Sequence, residues 1–355
     1  MCVVSYGHRS ETRVTKRQVR NMTRKRKATR NDVAALAGVS PAVVSYVINQ
    51  SKFVSEEKTK AVLRAVEQLQ YRPNENARAL KTGQFKRIAF VCDNLRNDWL
   101  EIPEKLFFDR GYTVSHVYSR DGDAFIQRLI SGQYDGIFML SNRYSSDQLN
   151  RIAREGIPIV LYKTREYQHT LHENISTVVP NCYDGVSKAV NYLLMKGHKR
   201  IIFAPPLRYD MTNFEGGFRE RAFMDTLKKA GIEVDPTYIC KHTETIEELQ
   251  DELFQILLGV SPDERATAVI TSNDYMAGKL VSYIRKMGLK VPDSMAVVGM
   301  DNTYLAEMVT PTLTSVDFSK EDFGRELVES MLSMINGQKP EDKYIKMSLV
   351  IRESA

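Results

Sequence analysis

The sequence has little of what would tie a chain to covalent or metal chemistry. Its four cysteines among 355 residues (Cys2, Cys92, Cys182 and Cys240) are scattered, with no Cys-x-x-Cys pair and no histidine at ligand spacing. That argues against a disulfide scaffold or a zinc module and fits a reducing cytoplasm. Long apolar runs are missing too. None approaches the ~18 residues of a membrane-spanning helix, so no membrane partner is expected. No Gly-x-Gly-x-x-Gly follows the first strand candidate, no phosphate loop is present, and Gly216-Gly217 is too short to cradle a phosphate. His116, His169, His172, His198 and His242 are not arranged with Asp and Ser as a catalytic set. An enzyme on a doubly wound fold is therefore the weaker reading, and neither cofactor nor metal is expected.

What is present is a charge asymmetry. The net charge of +6 divides into +11 over residues 1–83 and −5 over the rest. A basic end on an acidic body points to a nucleic-acid-binding head attached to a separate domain. Residues 1–27 hold nine Lys or Arg and one acid, Glu11, without apolar periodicity, and are expected to form a disordered basic arm. The arm lacks the apolar core of a secretory signal. Residues 1–21 are either part of the arm or a segment preceding a native start at Met22.

Residues 29–69 predict three short helices. Thr29 with Asp32 forms a capping-box-like start, followed by Val33, Ala34, Leu36 and Ala37, and Gly38 stops the helix. Ser40-Pro41 restarts it, with Val43, Val44, Val47 and Ile48 as the apolar face. Ser55-Glu56-Glu57 opens the third, whose expected stripe is Val62, Leu63, Val66 and Leu69. Two helices joined by Ala-Gly-Val-Ser have the form of a helix-turn-helix. Pro73 breaks the third helix, Asn74 can cap a short helix to Lys81, and Gly83 ends it. From Phe85 the period changes. Apolar runs at 88–92, 113–117, 136–140, 157–162 and 175–179, then 200–204, 238–240, 268–271 and 296–299, alternate with helical stretches. This predicts an α/β fold with parallel sheets in two lobes, which binds ligand in the cleft beyond the carboxyl ends of the strands.

The segment from Ala28 to Asn49 resembles the helix-turn-helix of the lactose/galactose repressor (LacI/GalR) family. Val54-Ser-Glu-Glu-Lys and Tyr71-Arg-Pro-Asn-Glu-Asn-Ala-Arg-Ala-Leu80 resemble its third helix and hinge. Tyr134-Asp-Gly-Ile, Gly197-His-Lys-Arg-Ile, Gly217-Phe-Arg, Thr271-Ser-Asn-Asp-Tyr-Met-Ala, Val298-Gly-Met-Asp-Asn and Thr310-Pro-Thr-Leu-Thr-Ser-Val extend the likeness in order, as far as Val350-Ile-Arg-Glu-Ser. The resemblance implies a basic arm at 1–27, a helix-turn-helix head at 28–71, a hinge helix at 72–84 and a two-lobed periplasmic-binding-protein-like core at 85–355. Its first lobe would take about 85–182 and 314–340, and its second 183–313 and 341–355.

The implied function is that of a transcriptional regulator, a repressor that binds a pseudopalindromic operator as a homodimer in the cytoplasm. Its DNA affinity would be switched by a small molecule, usually a sugar or nucleobase. The chain ends without the added leucine-repeat helix through which the lactose repressor tetramerises, which favours a dimer. By the same resemblance, Pro41, Ala42, Ser45 and Tyr46 would face base edges in the major groove, where an α-helix fits. Thr29, Ser40, Asn49, Ser55 and Lys58 would hold phosphates, which sets register without reading sequence. Asn74, Ala77 and Leu80 would act from the hinge, with Leu80 wedging the central base step. Many family members carry Arg where this chain has Tyr46. Tyr cannot grip guanine O6 and N7 together as Arg does, so an altered operator preference is expected there.

The effector pocket departs further from the family pattern. Phe214 stands where an Arg is common, four residues before the aromatic of the Gly217-Phe218 pair. Lys163 stands for an Asp after the strand at 157–162, and Pro180 for the Asp of a Val-Asp-Asn segment, although Asn181 remains. The loop after Asp93 is about three residues short of the family pattern. Asn273 and Asp301 persist as polar positions that can bind hydroxyls, or else cap helices. The expected effector set is Asp93, Trp99, Lys163, Asn181, Phe214, Asn273, Asp301 and Phe318. Three effectors stay open. One is an unusual, more apolar molecule stacking on Phe214 or Trp99. One is an anion drawn by Lys163. The third is none at all, with another partner controlling a degenerate pocket. A carbohydrate-derived effector is expected from the family.

Overall fold

The structure is a computed structural model, and it describes residues 28–72, 83–93, 98–207, 217–261, 264–339 and 341–355. The chain divides into two units, Met1–Gly83 and Gln84–Ala355. The basic arm and the expected hinge helix, with Asn74, Ala77 and Leu80, lie outside the described residues.

In the first unit, α1 (Arg30–Ala37), α2 (Pro41–Asn49) and α3 (Glu56–Gln68) pack around Val33, Ala34, Val44, Val62 and Ala65. Each start obeys its local chemistry. The Thr29 hydroxyl oxygen accepts from the Asp32 amide at 3.3 Å, and the Thr29 amide donates to Asp32 Oδ2 at 2.7 Å. This reciprocal box satisfies two of the four donors that a helix start leaves unpaired. Gly38 sits at φ 65°, where a Cβ would crowd the backbone, and so turns α1 into the Ser40 cap of α2. Leu36 and Leu63 were expected to face the core, but they are 49% and 53% exposed. Each adjoins a core position in sequence, and neighbours on a helix point about 100° apart.

The second unit carries two sheets. β1 (Arg87–Cys92), β2 (Thr113–Tyr118), β3 (Gly136–Met139), β4 (Ile159–Tyr162), β5 (Ile175–Pro180) and β10 (Lys343–Ile345) form the first. Its order is β10-β5-β4-β3-β1-β2, and every pairing is parallel. β6 (Ile201–Ala204), β7 (Ala268–Thr271), β8 (Ala296–Met300), β9 (Thr314–Phe318) and β11 (Met347–Val350) form the second, in the order β11-β9-β8-β7-β6, with only β11 antiparallel. Helices cover the sheets, so central strands such as Ile88 to Cys92 are wholly buried and read as unbroken apolar runs.

Three expectations need correction. The strand expected at 238–240 is a single bridge, Phe203 to Ile239, after a short 3-10 turn at Pro236–Tyr238. The Asp235 carboxylate accepts from the Thr237 amide at 2.9 Å and stabilises that turn. β9, β10 and β11 were not anticipated. They also redraw the lobes: β9 belongs to the second lobe, and β10 to the first. The helix Lys320–Ile335 packs on the first lobe, against the helix Glu101–Asp109 and against β4 and β5. The chain thus crosses between lobes three times, near residues 181, 319 and 346.

Candidate functional site

Two surfaces carry chemistry. On the head, α2 contains no Lys, Arg, Asp or Glu. Pro41, Ala42 and Asn49 are exposed, while Ser45 and Tyr46 are half-buried. The Asn49 amide group donates to the Ser45 carbonyl at 2.9 Å and to Ser45 Oγ at 3.1 Å, so these two side chains occupy one another. Thr29 and Ser40 are engaged as helix caps, whereas Ser55 makes no side-chain cap bond. Ser55 and Lys58 are exposed. The Lys52 ammonium lies over the Tyr46 ring, 5.0 Å from its centroid.

In the second unit, a cavity of about 700 Å³ opens between the lobes, within the range of small-molecule sites. The first lobe contributes Asp93, Tyr118, Asn142, Arg143 and Thr164, and the second Arg219, Glu220, His242, Asn273 and Asp301 among others. Arg143 Nε donates to Asp93 Oδ1 at 3.1 Å, and its terminal nitrogen lies 3.2 Å from Asp121. Ser141 Oγ donates to the same Asp93 oxygen at 2.7 Å, and Ser119 Oγ also donates to it. Across the cavity, Arg219 lies 3.8 Å from Asp301 Oδ1. Its Nε is 2.8 Å from Met300 Sδ, and it also hydrogen-bonds Tyr162. Burial alone would lower the Arg219 pKa, but Cys182, Asp301 and Tyr162 hold it above its ordinary value. Arg219 is therefore charged throughout the accessible pH range.

The backbone aims Asp301 at the cavity. Asp301 and Asn302 adopt φ of 90° and 44°, a region that non-glycine residues avoid at a cost of about 1–3 kcal/mol each. Their surroundings impose it: the Asp301 amide donates to the Val316 carbonyl at 2.8 Å, and Lys320 Nζ donates to the Asn302 carbonyl at 2.6 Å. Beneath them Asp274 is 1% exposed and accepts from the Thr303 amide and Ser315 Oγ, both at 2.6 Å. Burial pushes its carboxyl up to about 7, with the nearby Asp301 adding to the rise. Gly299 leaves the room it occupies, since a Cβ there would sit 2.3 Å from Asp274 Oδ1.

Of the expected effector residues, Asp93, Asn273 and Asp301 line the cavity. Asn273 also caps its helix, accepting from the Met276 amide at 2.9 Å. Four others belong elsewhere. Trp99 and Phe318 are 4% and 1% exposed; they meet edge to face, each also packs edge to face with Phe323, and Trp99 lies tilted against Tyr162 inside the core. Aromatic rings this deeply packed among themselves present no face to a ligand. Lys163 is absent from the lining and lies 3.3 Å from Glu166. Asn181 is exposed and caps its helix, accepting from the Asp184 amide at 3.1 Å. Phe214 lies outside the described residues.

The sequence reading missed Arg143 and Arg219. For Arg219 a signal existed. The buried aromatic of its helix is Phe223, preceded by Ala222 rather than Gly. Arg219 lies four residues before Phe223, the same spacing that separates Phe214 from Phe218.

Residues 29–74 match the model of bacterial regulatory proteins of the lacI family, and residues 190–355 match a periplasmic binding protein-like domain. The chain is similar to the HTH-type transcriptional repressor PurR of Salmonella arizonae, 30% identical over 330 residues, covering 90% of this chain and 94% of that one. PurR of Histophilus somni is 29% identical over 338 residues, covering 92% and 98%. Among solved structures, a complex of the transcriptional regulator CelR with cellobiose is 27% identical, with TM-score 0.66 and coverage of 92% and 100%. A lac repressor dimer bound to operator and the anti-inducer ONPF shares the fold, with TM-score 0.76 at 22% identity and coverage of 93% and 99%.

Proposed function

The chain belongs to the lacI family of bacterial regulatory proteins, and from that premise we propose that it is a homodimer bound to a pseudopalindromic operator, its affinity set by a neutral, hydroxyl-rich small molecule in the interlobe cavity. It is a DNA-binding transcriptional repressor and not an enzyme. In this reading α2 lies in the major groove with Pro41, Ala42 and Tyr46 toward the bases. Thr29, Ser40, Ser55 and Lys58 lie toward phosphates, and the site of action is the cytoplasm.

One observation carries the effector class: among the described residues of the cavity wall, each basic side chain faces an acid. Arg143 faces Asp93 and Asp121, Arg219 faces Asp301, and His242 Nε2 lies 3.7 Å from Glu220. An anionic ligand would have to break one of these pairs, whereas a hydroxyl can donate to the acid and accept from the base. Asn142 Oδ1 supports the same class. It is a buried acceptor in the wall without a donor among the described residues, and a ligand hydroxyl would satisfy it. The likeness to a regulator solved with cellobiose agrees with this reading.

The test is a thermal-shift series on the full chain with neutral mono- and disaccharides, sugar phosphates and nucleobases, followed by operator titration with each hit. A neutral carbohydrate should raise Tm and change operator affinity. At a hundredfold excess over Kd the stabilisation should approach ~2.7 kcal/mol. A response confined to sugar phosphates or nucleobases would overturn the effector class.

A further inference from the structure

The commonest specific contact in the major groove is a cation donating to the paired acceptors of guanine, and α2 supplies no cation. Two of its polar side chains, Ser45 and Asn49, are bonded to each other. Pro41 and Ala42 offer only apolar contact, suited to a thymine methyl group. The helix itself leaves one aromatic reader, Tyr46, with a single phenolic hydroxyl.

The chain leaving α2 brings a cation to that residue. Gln50 takes the left-handed conformation at φ 50°, although it is not glycine. Its amide donates to the Val47 carbonyl at 3.4 Å, and the Ser51 amide donates to the Tyr46 carbonyl at 3.2 Å. This paired arrangement is the Schellman ending of a helix, usually closed by glycine. It folds the chain back across the last turn and seats the exposed Lys52 ammonium over the Tyr46 ring. The ring face attracts the cation and restricts a side chain that would otherwise sweep freely.

We propose that Lys52, carried outside the recognition helix and seated on Tyr46, is the charged base reader of this head and selects guanine at the base pair facing Tyr46. The phenol ring acts as the platform, and the ammonium donates to guanine O6 and N7. The proposal rests on the operator-binding reading and adds to it a residue beyond those assigned to base contact above.

The test uses the full-length protein and the operator it selects from random duplex DNA. Wild type, Lys52→Met, Tyr46→Leu and Tyr46→Phe are titrated by fluorescence anisotropy against that operator and its single-base-pair variants at several salt concentrations. Lys52 is exposed and outside the core of the head, so Lys52→Met keeps the fold. The expected result is a guanine at one symmetry-related pair of positions in the wild-type operator. Lys52→Met should bind that operator roughly 5- to 150-fold more weakly while losing little on variants without the guanine. Tyr46→Leu should relax the same position, and Tyr46→Phe, which keeps the ring, should not. A uniform loss on every sequence, with the log–log salt slope falling by about 0.9 per lost phosphate contact, would overturn the proposal in favour of a backbone contact. Guanine preference unchanged in Lys52→Met would overturn it outright. If wild type selects no sequence, the operator-binding reading fails, and this proposal fails with it.

Discussion

Replacing Arg219 by Met is expected to destabilise the core by about 3–5 kcal/mol and to abolish the effector response. The side chains of Arg219 and Asp301 are only 14% and 21% exposed. Removing one member of such a pair leaves the other charge desolvated and uncompensated, and that penalty exceeds what the pair itself contributes. Tyr162 would lose its hydrogen bond from Arg219 in the same step. A second substitution separates the two losses. With Asp301→Asn added, the orphaned charge is gone, so most of the stability should return. Effector binding should not return, because both members of the pair that faces the ligand have changed. Urea midpoints of the full chain, with and without effector, measure both. An Arg219→Met protein as stable as wild type and fully responsive would show that the pair is peripheral.

The second large effect is a pH dependence centred on Asp274. Its carboxyl is raised in the fold from about 3.8 to about 7, so between those values the folded chain holds a proton that the unfolded chain has released. Stability contributed by this group is therefore greatest below about pH 4 and is lost as pH rises through about 7. The loss is on the order of 4 kcal/mol, since each tenfold change in proton affinity is worth about 1.36 kcal/mol. Asp274→Asn should remove this slope and make the protein more stable than wild type at pH 8. The substitution is tolerable in the site. One amide oxygen can still accept from Thr303, and the Ser315 hydroxyl can turn to accept from the new NH2. Urea unfolding of both proteins at pH 5 and pH 8 decides the matter. Parallel dependence in the two proteins would place the titration elsewhere.

The parts of the architecture legible from sequence were those written in local chemistry. The Thr29–Asp32 box, the Gly38 turn and the Ser40-Pro41 restart are each set by residues within a few positions, and the structure forms all three. Strands such as 88–92 are apolar throughout because both faces are covered, which makes them plain. β9 and β10 were not plain. Thr-Ser-Val-Asp-Phe opens on two polar residues and is neither an apolar run nor a full alternation, and Lys-Tyr-Ile is three residues long. Each becomes a strand through neighbours distant in sequence. The lobe crossings depend on those same pairings, so the lobe boundaries could not be drawn before the sheets were seen.

The cavity divides in the same way. Asp93, Asn273 and Asp301 end strands or begin helices at the carboxyl edge of a sheet, where ligands of such folds bind. Trp99 and Phe318 suited a ligand and a core equally well on composition, and packing decided for the core. Arg219 was hidden because Gly217-Phe218 is a glycine–aromatic pair, whereas the buried aromatic of its helix, Phe223, follows Ala222. Arg143 carries no local signature. Its role depends on Asp93 and Asp121, which are 50 and 22 residues away.

The most direct test of the account is selection of bound sequences from random duplex DNA by the unmutated full-length protein. A two-fold head predicts an enriched pseudopalindrome whose half-sites lie about one helical turn apart. No enrichment, or a single half-site without its symmetric mate, would contradict the dimeric operator-binding repressor described above.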